Sequence, residues 1–327
     1  MNNNLIVSTS PHFHGKASTS GIMRDVIIAL APAAIAAVVL FGWQALTIIC
    51  VCVATSVLSE FLFNIICKKA QTVGDLSAIV TGLLLALTLP ATASIWHCIV
   101  GSVFAIVVVK CLFGGIGCNF VNPAITARVF LLIAFSEALA GGTRTLFQPD
   151  IASYPTTDAV TGASMIVSGA TPLDAIKVGA TNMPSLLDML IGNRGGAIGE
   201  TCAIALLLGF VYLLIRKVIS WHTPVVYIGT VFVFSLIFKQ DLTYAFYQVL
   251  GGGLLIGAIF MATDYVTTPI TKLGKVIFAL GCGLITVLIR FFGAYPEGVS
   301  FAILFMNIVT PYIEKLCAPK PMGGVKK

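Results

Sequence analysis

Long apolar runs separated by short polar breaks extend over almost the whole chain. Runs of roughly 18 or more apolar residues are what an α-helix needs to cross a bilayer. About ten such runs can be drawn, over residues 25–43, 45–67, 76–91, 95–114, 123–141, 197–217, 222–239, 243–263, 274–292 and 298–317. The pattern therefore predicts an all-α integral membrane protein with about ten transmembrane helices.

The composition agrees with this pattern. The 327 residues are 58% hydrophobic and only 10% charged, whereas an ordinary soluble domain carries about 25% charged residues. The nine cysteines are scattered without a CxxC pair, so no iron–sulfur, zinc or other metal site is predicted. The basic residues form no stripe with interleaved aromatics, so the net charge of +6 predicts no nucleic-acid partner.

The basic residues also orient the runs. With a cytoplasmic N-terminus, the inner segments contain Lys16, Arg24, Lys68, Lys69, Lys110, Arg216, Lys217, Lys272, Lys275, Lys315, Lys320, Lys326 and Lys327. The short outer loops contain only Lys239 and Arg290. This bias follows the positive-inside rule and predicts a multi-pass protein with both termini in the cytoplasm.

A long segment, 142–196, divides the runs into two sets of five. It falls outside the cytoplasm in this orientation, and a loop of that length is typically functional or disordered. Because five is odd, the halves 25–141 and 197–317 are expected to be inverted relative to each other, a common transporter architecture. Residues 1–24 are then a cytoplasmic N-terminal segment, and residues 318–327 a basic cytoplasmic tail.

Two near copies of one motif lie in this loop: VTGAS, which ends at Ser164, and VSGAT, which ends at Thr171. Pro172 suits a first helical position, so Thr171 is the predicted N-cap and Asp174 completes a T-x-x-D capping box. A cap worth about 1 kcal/mol would explain the motif by itself. Alternatively, the Thr171 hydroxyl carries a phosphate, because free N–H groups at a helix N-terminus favour anions. The spacing leaves both interpretations open.

Four sequence blocks, in order along the chain, resemble one family. They are SGATPLDAIK, NRGGAIGETCAIALLLG, MATDYVTTPITKLGK and AYPEGVSFAILFMNIVTPYIE. The stretches SPH, GIMRDVIIALAP and GGIGCNFVNPA agree as well. Together they resemble the RnfD/NqrB family over nearly the whole chain. Its members are the flavin-carrying integral subunits of Rnf complexes and of sodium-pumping NADH:quinone oxidoreductases, and SGATPL favours the Rnf type.

The resemblance implies a cofactor and its attachment site. Family members carry covalent FMN as a phosphoester on the threonine of S-G-A-T, which is Thr171 here, flanked by Ser168, Gly169, Ala170 and Asp174. A flavin transferase installs the FMN outside the cytoplasm, where the charge pattern independently places this loop. A second, non-covalent flavin, riboflavin, is a further expectation that the resemblance leaves open.

The resemblance also implies a fold, a location and partners. The family is similar to urea transporters, with two inverted five-helix halves. Rnf complexes of the bacterial inner membrane move electrons between reduced ferredoxin and NAD and couple this to Na⁺ or H⁺ transport. The expected partners are membrane iron–sulfur subunits, an extracytoplasmic flavin subunit and cytoplasmic ferredoxin/NAD subunits. The chain shows no nucleotide-binding fingerprint and no catalytic residue, so we expect a translocase subunit without a complete active site.

One departure from the family pattern makes Ser164 an alternative acceptor. The transferase motif usually has an aspartate six positions before the acceptor. Asp158 stands six before Ser164, whereas Met165 stands six before Thr171. Thr171 is preferred, because ATPLDAIK leads directly into the next family block.

Four further residues are candidates for a second flavin site or an ion site: Asn122, Asp264, Thr267 and Glu60. Asn122 follows a glycine-rich bend that close helix packing would also explain. A helix-end cap explains Asp264 equally well. Glu60 falls inside the second run, where a carboxylate is costly and often functional, unless it is interfacial and close to the lysines at 68–69.

Two charged residues near run ends have simpler explanations. Glu200 begins the sixth run, where the helix dipole favours an acidic residue. Arg290 is expected to be an interfacial anchor, with pairing to the FMN phosphate or to Glu297 as alternatives.

Three functions compete at this stage. The first is an electron-transfer subunit that carries FMN and hosts part of an ion path, with the protein orienting the cofactor. The second is a cofactor-free channel or secondary transporter of urea-transporter-like fold, since inverted halves suit it equally. The third is a scaffold that only holds partner subunits. In-gel flavin fluorescence of the denatured chain separates the first from the other two.

Overall fold

The computed structural model describes residues 18–139, 142–143, 145, 168–169, 171–178, 183–293, 295 and 297–318. These residues are mainly α-helical. The helices are α1 Thr19–Phe41, α2 Trp43–Ile66, α3 Ser77–Thr88, α4 Ile95–Cys111, α5 Pro123–Ala134, α6 Ser136–Leu139, α7 Pro172–Val178, α8 Leu186–Ile191, α9 Ala203–Ile215, α10 His222–Lys239, α11 Leu242–Leu250, α12 Leu254–Met261, α13 Lys272–Phe292 and α14 Val299–Leu316. The short strands β1 Gly142–Thr143 and β2 Ser168–Gly169 pair antiparallel.

Five helices, α1, α2, α10, α13 and α14, are long and apolar enough to cross a membrane. The bent pair α11 and α12 makes a sixth. The shorter apolar helices α3, α4, α5 and α9 coincide with four other runs of the sequence. The chain is therefore a mostly helical, multi-pass membrane protein, as predicted, while the full count of ten spans stays a prediction.

The helix predicted over 243–263 is broken, which corrects the sequence analysis. Helices α11 and α12 meet at 64° across the three glycines Gly251–Gly253. Glycine permits this bend because Gly252 has a φ of 63°, which other residues rarely adopt. A break among membrane helices needs new partners for its freed backbone groups, and side chains of distant elements supply them here.

Helix α3 ends against another loop rather than against solvent. The backbone N–H of Ile198 donates to the carbonyl oxygen of Leu89 at 3.0 Å, and the N–H of Gly199 donates to that of Leu87 at 2.7 Å. Terminal carbonyls of a helix have no partner within the helix. The loop between α8 and α9 therefore completes α3 and is held against it.

Small residues allow the helices to approach closely. A Cβ atom at Gly82 of α3 would lie 2.7 Å from the carbonyl oxygen of Cys52 and 2.9 Å from Cα of Val53, both on α2. Membrane helices pack through such contacts because lipid provides no hydrophobic drive for association. The distance between α2 and α3 is thus set by contact between their backbones.

We expect Gly82→Ala to lower the stability of the detergent-solubilised chain by about 1–3 kcal/mol, the usual cost of overpacking. The control is Gly229→Ala in α10, where a Cβ would meet nothing within 4 Å. That change should be neutral or stabilising, because alanine favours helix by up to about 1 kcal/mol over glycine. The measurement is the unfolding midpoint. Equal effects at both positions would contradict the close α2–α3 contact.

Candidate functional site

Helix α7 begins as the sequence predicts. The N–H of Asp174 donates to Thr171 Oγ1 at 3.2 Å, and the N–H of Thr171 donates to Asp174 Oδ2 at 3.0 Å. The Thr171 hydroxyl itself donates to the same Oδ2 at 2.7 Å. The predicted capping box is therefore confirmed, and its reciprocal bonds fix the Thr171 side chain.

The S-G-A-T segment is held by backbone pairing. Gly169 pairs with Gly142, and Ser168 pairs with Thr143. Thr143 in turn exchanges backbone hydrogen bonds with Gly196, at 3.0 and 3.1 Å. The glycine-rich bend GGAIGE, which contains Gly196, thus pairs closely with the backbone of β1. The alternative acceptor Ser164, and Ala170 beside Thr171, lie outside the described residues.

Helix α7 packs on the break between α11 and α12. Leu173 is buried, and its Cδ atoms would lie 3.0 Å and 2.8 Å from Cβ atoms built at Gly251 and Gly252. At the other end of the helix, Lys177 Nζ donates to the carbonyl oxygens of Gly293 at 2.7 Å and Tyr295 at 3.0 Å. The helix that carries Thr171 therefore sits on the α11–α12 break and on the end of α13.

Beside this break lies a group of four charged residues, called here the helix-break cluster: Glu200 and Arg290 are buried, and Arg128 and Glu297 are partly buried. Arg128 Nη2 lies 2.6 Å from Glu297 Oε2 and 3.6 Å from Glu200 Oε1. Glu297 Oε1 accepts from the backbone N–H of Gly253 at 2.7 Å. The cluster thus satisfies a backbone donor that the break has freed.

Arg290 is not an interfacial anchor, which corrects the sequence prediction. Its side chain is buried. Its guanidinium donates to the side-chain oxygen of Gln248 at 3.1 Å, to the backbone oxygen of the same residue, and to the carbonyl oxygen of Gly251 at 3.3 Å. It therefore supplies donors to carbonyl groups at the end of α11.

A separate cavity has apolar walls from α1, α3, α9 and α12. Its polar lining residues are Ser77, Thr81, Lys110, Asn119, Asn122, Thr263, Asp264 and Tyr265. An apolar cavity with a few convergent polar groups is the usual form of a small-molecule site. We call it the Asn122 cavity.

Two of the four candidates for a second site, Asn122 and Asp264, line this cavity. Asn122 caps α5 by accepting from the N–H groups of Ala124 at 3.0 Å and Ile125 at 3.3 Å. Asp264 accepts from the hydroxyl of Thr267 at 3.2 Å. Burial raises the pKa of Asp264, while its hydrogen bonds oppose that shift. Thr267 does not line the cavity itself, but its hydroxyl contacts Asp264, which does.

Glu60 lies behind the cavity wall. Its Oε1 is 2.8 Å from Lys110 Nζ and accepts from the Thr72 hydroxyl at 2.6 Å. Lys110 also donates to the Ser77 hydroxyl at 2.8 Å, and both partners of the ion pair are almost fully buried. Glu60 is therefore paired with Lys110 inside the protein, and its depth in the membrane stays a prediction.

Sequence reasoning missed the partners in both charged groups. Glu60 and Lys110 are 50 positions apart, and Arg128 and Glu297 are 169 apart. The only local signal was the presence of carboxylates and arginines in or near apolar runs, which marks them as functional candidates.

Comparison with known proteins assigns the chain to one family. A family model described as NQR2, RnfD, RnfE family matches residues 6–323. The chain belongs to this family. The resemblance to its RnfD members is thereby confirmed.

Three relatives of the RnfD type match almost end to end. The chain is 46% identical over 326 residues to the RnfD-type subunit of the Na⁺-translocating ferredoxin:NAD⁺ oxidoreductase complex of Acetobacterium woodii, covering 99% of this chain and 96% of the relative. It is 39% identical over 339 residues to the corresponding subunit of the proton-translocating ferredoxin:NAD⁺ oxidoreductase complex of Clostridium ljungdahlii, covering 98% and 97%. It is 35% identical over 342 residues to that of the ion-translocating oxidoreductase complex of Halorhodospira halophila, covering 97% and 95%.

Proposed function

We propose that this RnfD-type chain is a membrane electron-transfer subunit of an ion-translocating ferredoxin:NAD oxidoreductase, and that it carries covalent FMN on Thr171. The observation that carries the proposal is the match to the RnfD-type subunit of such a complex over 99% of the chain. The coupling ion is Na⁺ or H⁺, since the relatives' names include both.

The residues around Thr171 fit an FMN phosphoester. The hydroxyl is half-buried at the start of α7, where one aspartate oxygen accepts its hydrogen. An ester at Thr171 Oγ1 removes that hydrogen, so Asp174 has to turn away from the added phosphate. Leu173 and Lys177 hold α7 in place on the membrane helices while this happens. The bound flavin would supply one- and two-electron transfer, and the chain would position it.

We also propose that the Asn122 cavity holds the second cofactor, a non-covalent riboflavin. Its apolar walls suit a planar ring, and Lys110, Asn119 and Asn122 offer donors to ring carbonyl groups. An ion site at Asp264 remains the second candidate for the same place, because its carboxylate lines the cavity.

Filling the cavity tests this proposal. We expect Leu84→Trp, on the cavity wall, to abolish acid-extractable riboflavin while covalent FMN stays unchanged. The control is Leu208→Trp on α9, where the native side chain is 59% exposed. Flavins released by acid are measured by chromatography, and covalent flavin by in-gel fluorescence. Unchanged extractable riboflavin in Leu84→Trp would place it elsewhere.

The remaining features follow from the proposed complex. We propose a location in the bacterial inner membrane with both termini cytoplasmic, ten spans in two inverted halves, and a urea-transporter-like fold. The partners are the membrane iron–sulfur subunits, the extracytoplasmic flavin subunit and the cytoplasmic ferredoxin/NAD subunits, with a flavin transferase acting on Thr171. The positive-inside charge pattern supports this orientation.

The test of function uses the assembled complex in membrane vesicles. Reduced ferredoxin should drive NAD⁺ reduction together with ion movement, and removal of this chain should abolish both. Full electron transfer by vesicles that lack the chain would contradict the proposal. A cofactor-free channel, the alternative function, would instead show solute flux without ferredoxin.

A further inference from the structure

The two carboxyl groups of the helix-break cluster converge on one glycine. Glu297 Oε1 accepts from the N–H of Gly253 at 2.7 Å. A Cβ atom built at Gly253 would lie 2.7 Å from Glu200 Oε1 and closer still to Glu297 Oε1. The Oε1 atoms of the two side chains therefore approach the same point beside the glycine. Position 253 therefore needs glycine, because any side chain would occupy the space between the carboxyl groups.

The neighbouring arginine side chains are not equally close to the two carboxyl groups. Arg128 Nη2 is 2.6 Å from Glu297 but 3.6 Å from Glu200. Arg194 donates to the backbone oxygens of Glu200 at 2.7 Å and Thr201 at 3.4 Å. Its third bond is to the sulfur of Met189 at 3.6 Å, so no hydrogen bond of Arg194 reaches a carboxyl group. Arg128 therefore hydrogen-bonds Glu297 directly, whereas it is farther from the Glu200 carboxyl, at the looser ion-pair distance of 3.6 Å.

The third guanidinium, that of Arg290, also forms its hydrogen bonds with groups other than Glu200. It donates to Gln248 and to the carbonyl oxygen of Gly251. The charged groups that face Glu200 are therefore Arg128 on α5, Arg290 on α13, Arg194 in its own loop, and Glu297. Two carboxyl groups that share a confined site repel each other when both are ionised, which favours retention of a proton by one of them.

We propose that the helix-break cluster is a proton-binding site, in which Glu200 holds an exchangeable proton and donates it in a hydrogen bond to Glu297. On release, the proton leaves Glu200 as H⁺ and Arg128 compensates both carboxylates. No electrons move in this step. The site is independent of any flavin on Thr171, although Leu173 packs directly on the same glycine-rich break.

A metal cation suits this place less well than a proton. Na⁺ and other hard cations need several oxygen ligands around them. Here the guanidinium of Arg128 already occupies Oε2 of Glu297 at 2.6 Å, the N–H of Gly253 occupies Oε1, and Arg290 Nη2 lies 3.3 Å from a Cβ built at Gly252. These fixed positive charges repel a second cation, whereas a proton neutralises one carboxylate without a coordination shell.

Infrared difference spectroscopy of the purified full-length chain tests the proposal. The wild type should show the C=O stretch of a protonated carboxylic acid, shifted in D₂O and lost as the pH is raised. Glu200→Gln should lack this band completely and still fold, because glutamine is neutral like the protonated acid. Asp264→Asn serves as the control at a partly buried carboxyl outside the cluster, and it should leave the band intact.

A second variant distinguishes loss of the Glu200 proton from a general effect of substituting Glu200. In Glu297→Gln, Arg128 is free to pair with Glu200, so Glu200 should ionise and the band should again disappear, although the glutamate is still present. The proposal is overturned if the band persists in Glu200→Gln, if no titrating acid band exists in the wild type, or if Na⁺ at constant pH removes the band.

Discussion

Thr171→Ala protein should carry no covalent flavin, whereas Ser164→Ala protein should keep most of it. Thr171 Oγ1 is presented at the start of a helix that is docked on the membrane domain through Leu173. The loss of the oxygen removes the only atom through which a phosphoester can form there. The measurement is flavin fluorescence of the denatured chain in a gel, after expression together with the flavin transferase.

The same substitution should not unfold the protein. Thr171→Ala removes one helix cap, which costs about 1 kcal/mol, so membrane insertion and yield should match the wild type. Thr171→Ser keeps an oxygen for capping and attachment and should retain part of the flavin. A fluorescent Thr171→Ala chain beside a dark Ser164→Ala chain would make Ser164 the acceptor. The aspartate six residues earlier would then outweigh the capped helix.

Lys110→Met should destabilise the chain by about 3–5 kcal/mol, because it leaves a buried carboxylate without its cation. Glu60 Oε1 is 2.8 Å from Lys110 Nζ, and Glu60 Oε2 is buried without a hydrogen-bond partner among the described residues. The Glu60 carboxylate therefore has little to replace the ammonium group. The unfolding midpoint of the solubilised chain measures the loss.

A second substitution should restore most of that stability. In Lys110→Met/Glu60→Gln the buried pair is neutral, and replacing a buried ion pair by uncharged groups is often tolerated. Glu60→Gln alone should cost less than Lys110→Met, because Lys110 keeps the Ser77 hydroxyl. If the double variant is as unstable as Lys110→Met, packing of the lysine stem rather than charge pairing decides the effect.

The long helices and the helix at Thr171 could be predicted because their signals are local. Continuous apolar runs indicated α1, α2, α13 and α14, and the T-x-x-D spacing placed the start of α7 at Pro172. Hydrophobicity and capping depend on neighbours within one or two turns. The sequence alone therefore suffices for these elements.

The break and the charged groups could not be predicted in the same way. The run over 243–263 has no charged residue, so hydropathy predicts one continuous span, and the 64° bend at its three glycines is seen only in the structure. Arg290 resembled an anchor because its partners, Gln248 and Gly251, come from another helix. Likewise, the pairing of Lys110 with Glu60 could not be predicted, because the two residues lie 50 positions apart on different helices.

Mass spectrometry of the tryptic peptide 145–177 from the chain in its native membrane tests the central claim most directly. This peptide contains both Ser164 and Thr171. We predict a mass increase equal to FMN minus one water, with fragment ions that assign it to Thr171. An unmodified peptide, or the same mass on Ser164, would contradict the proposed FMN attachment at Thr171.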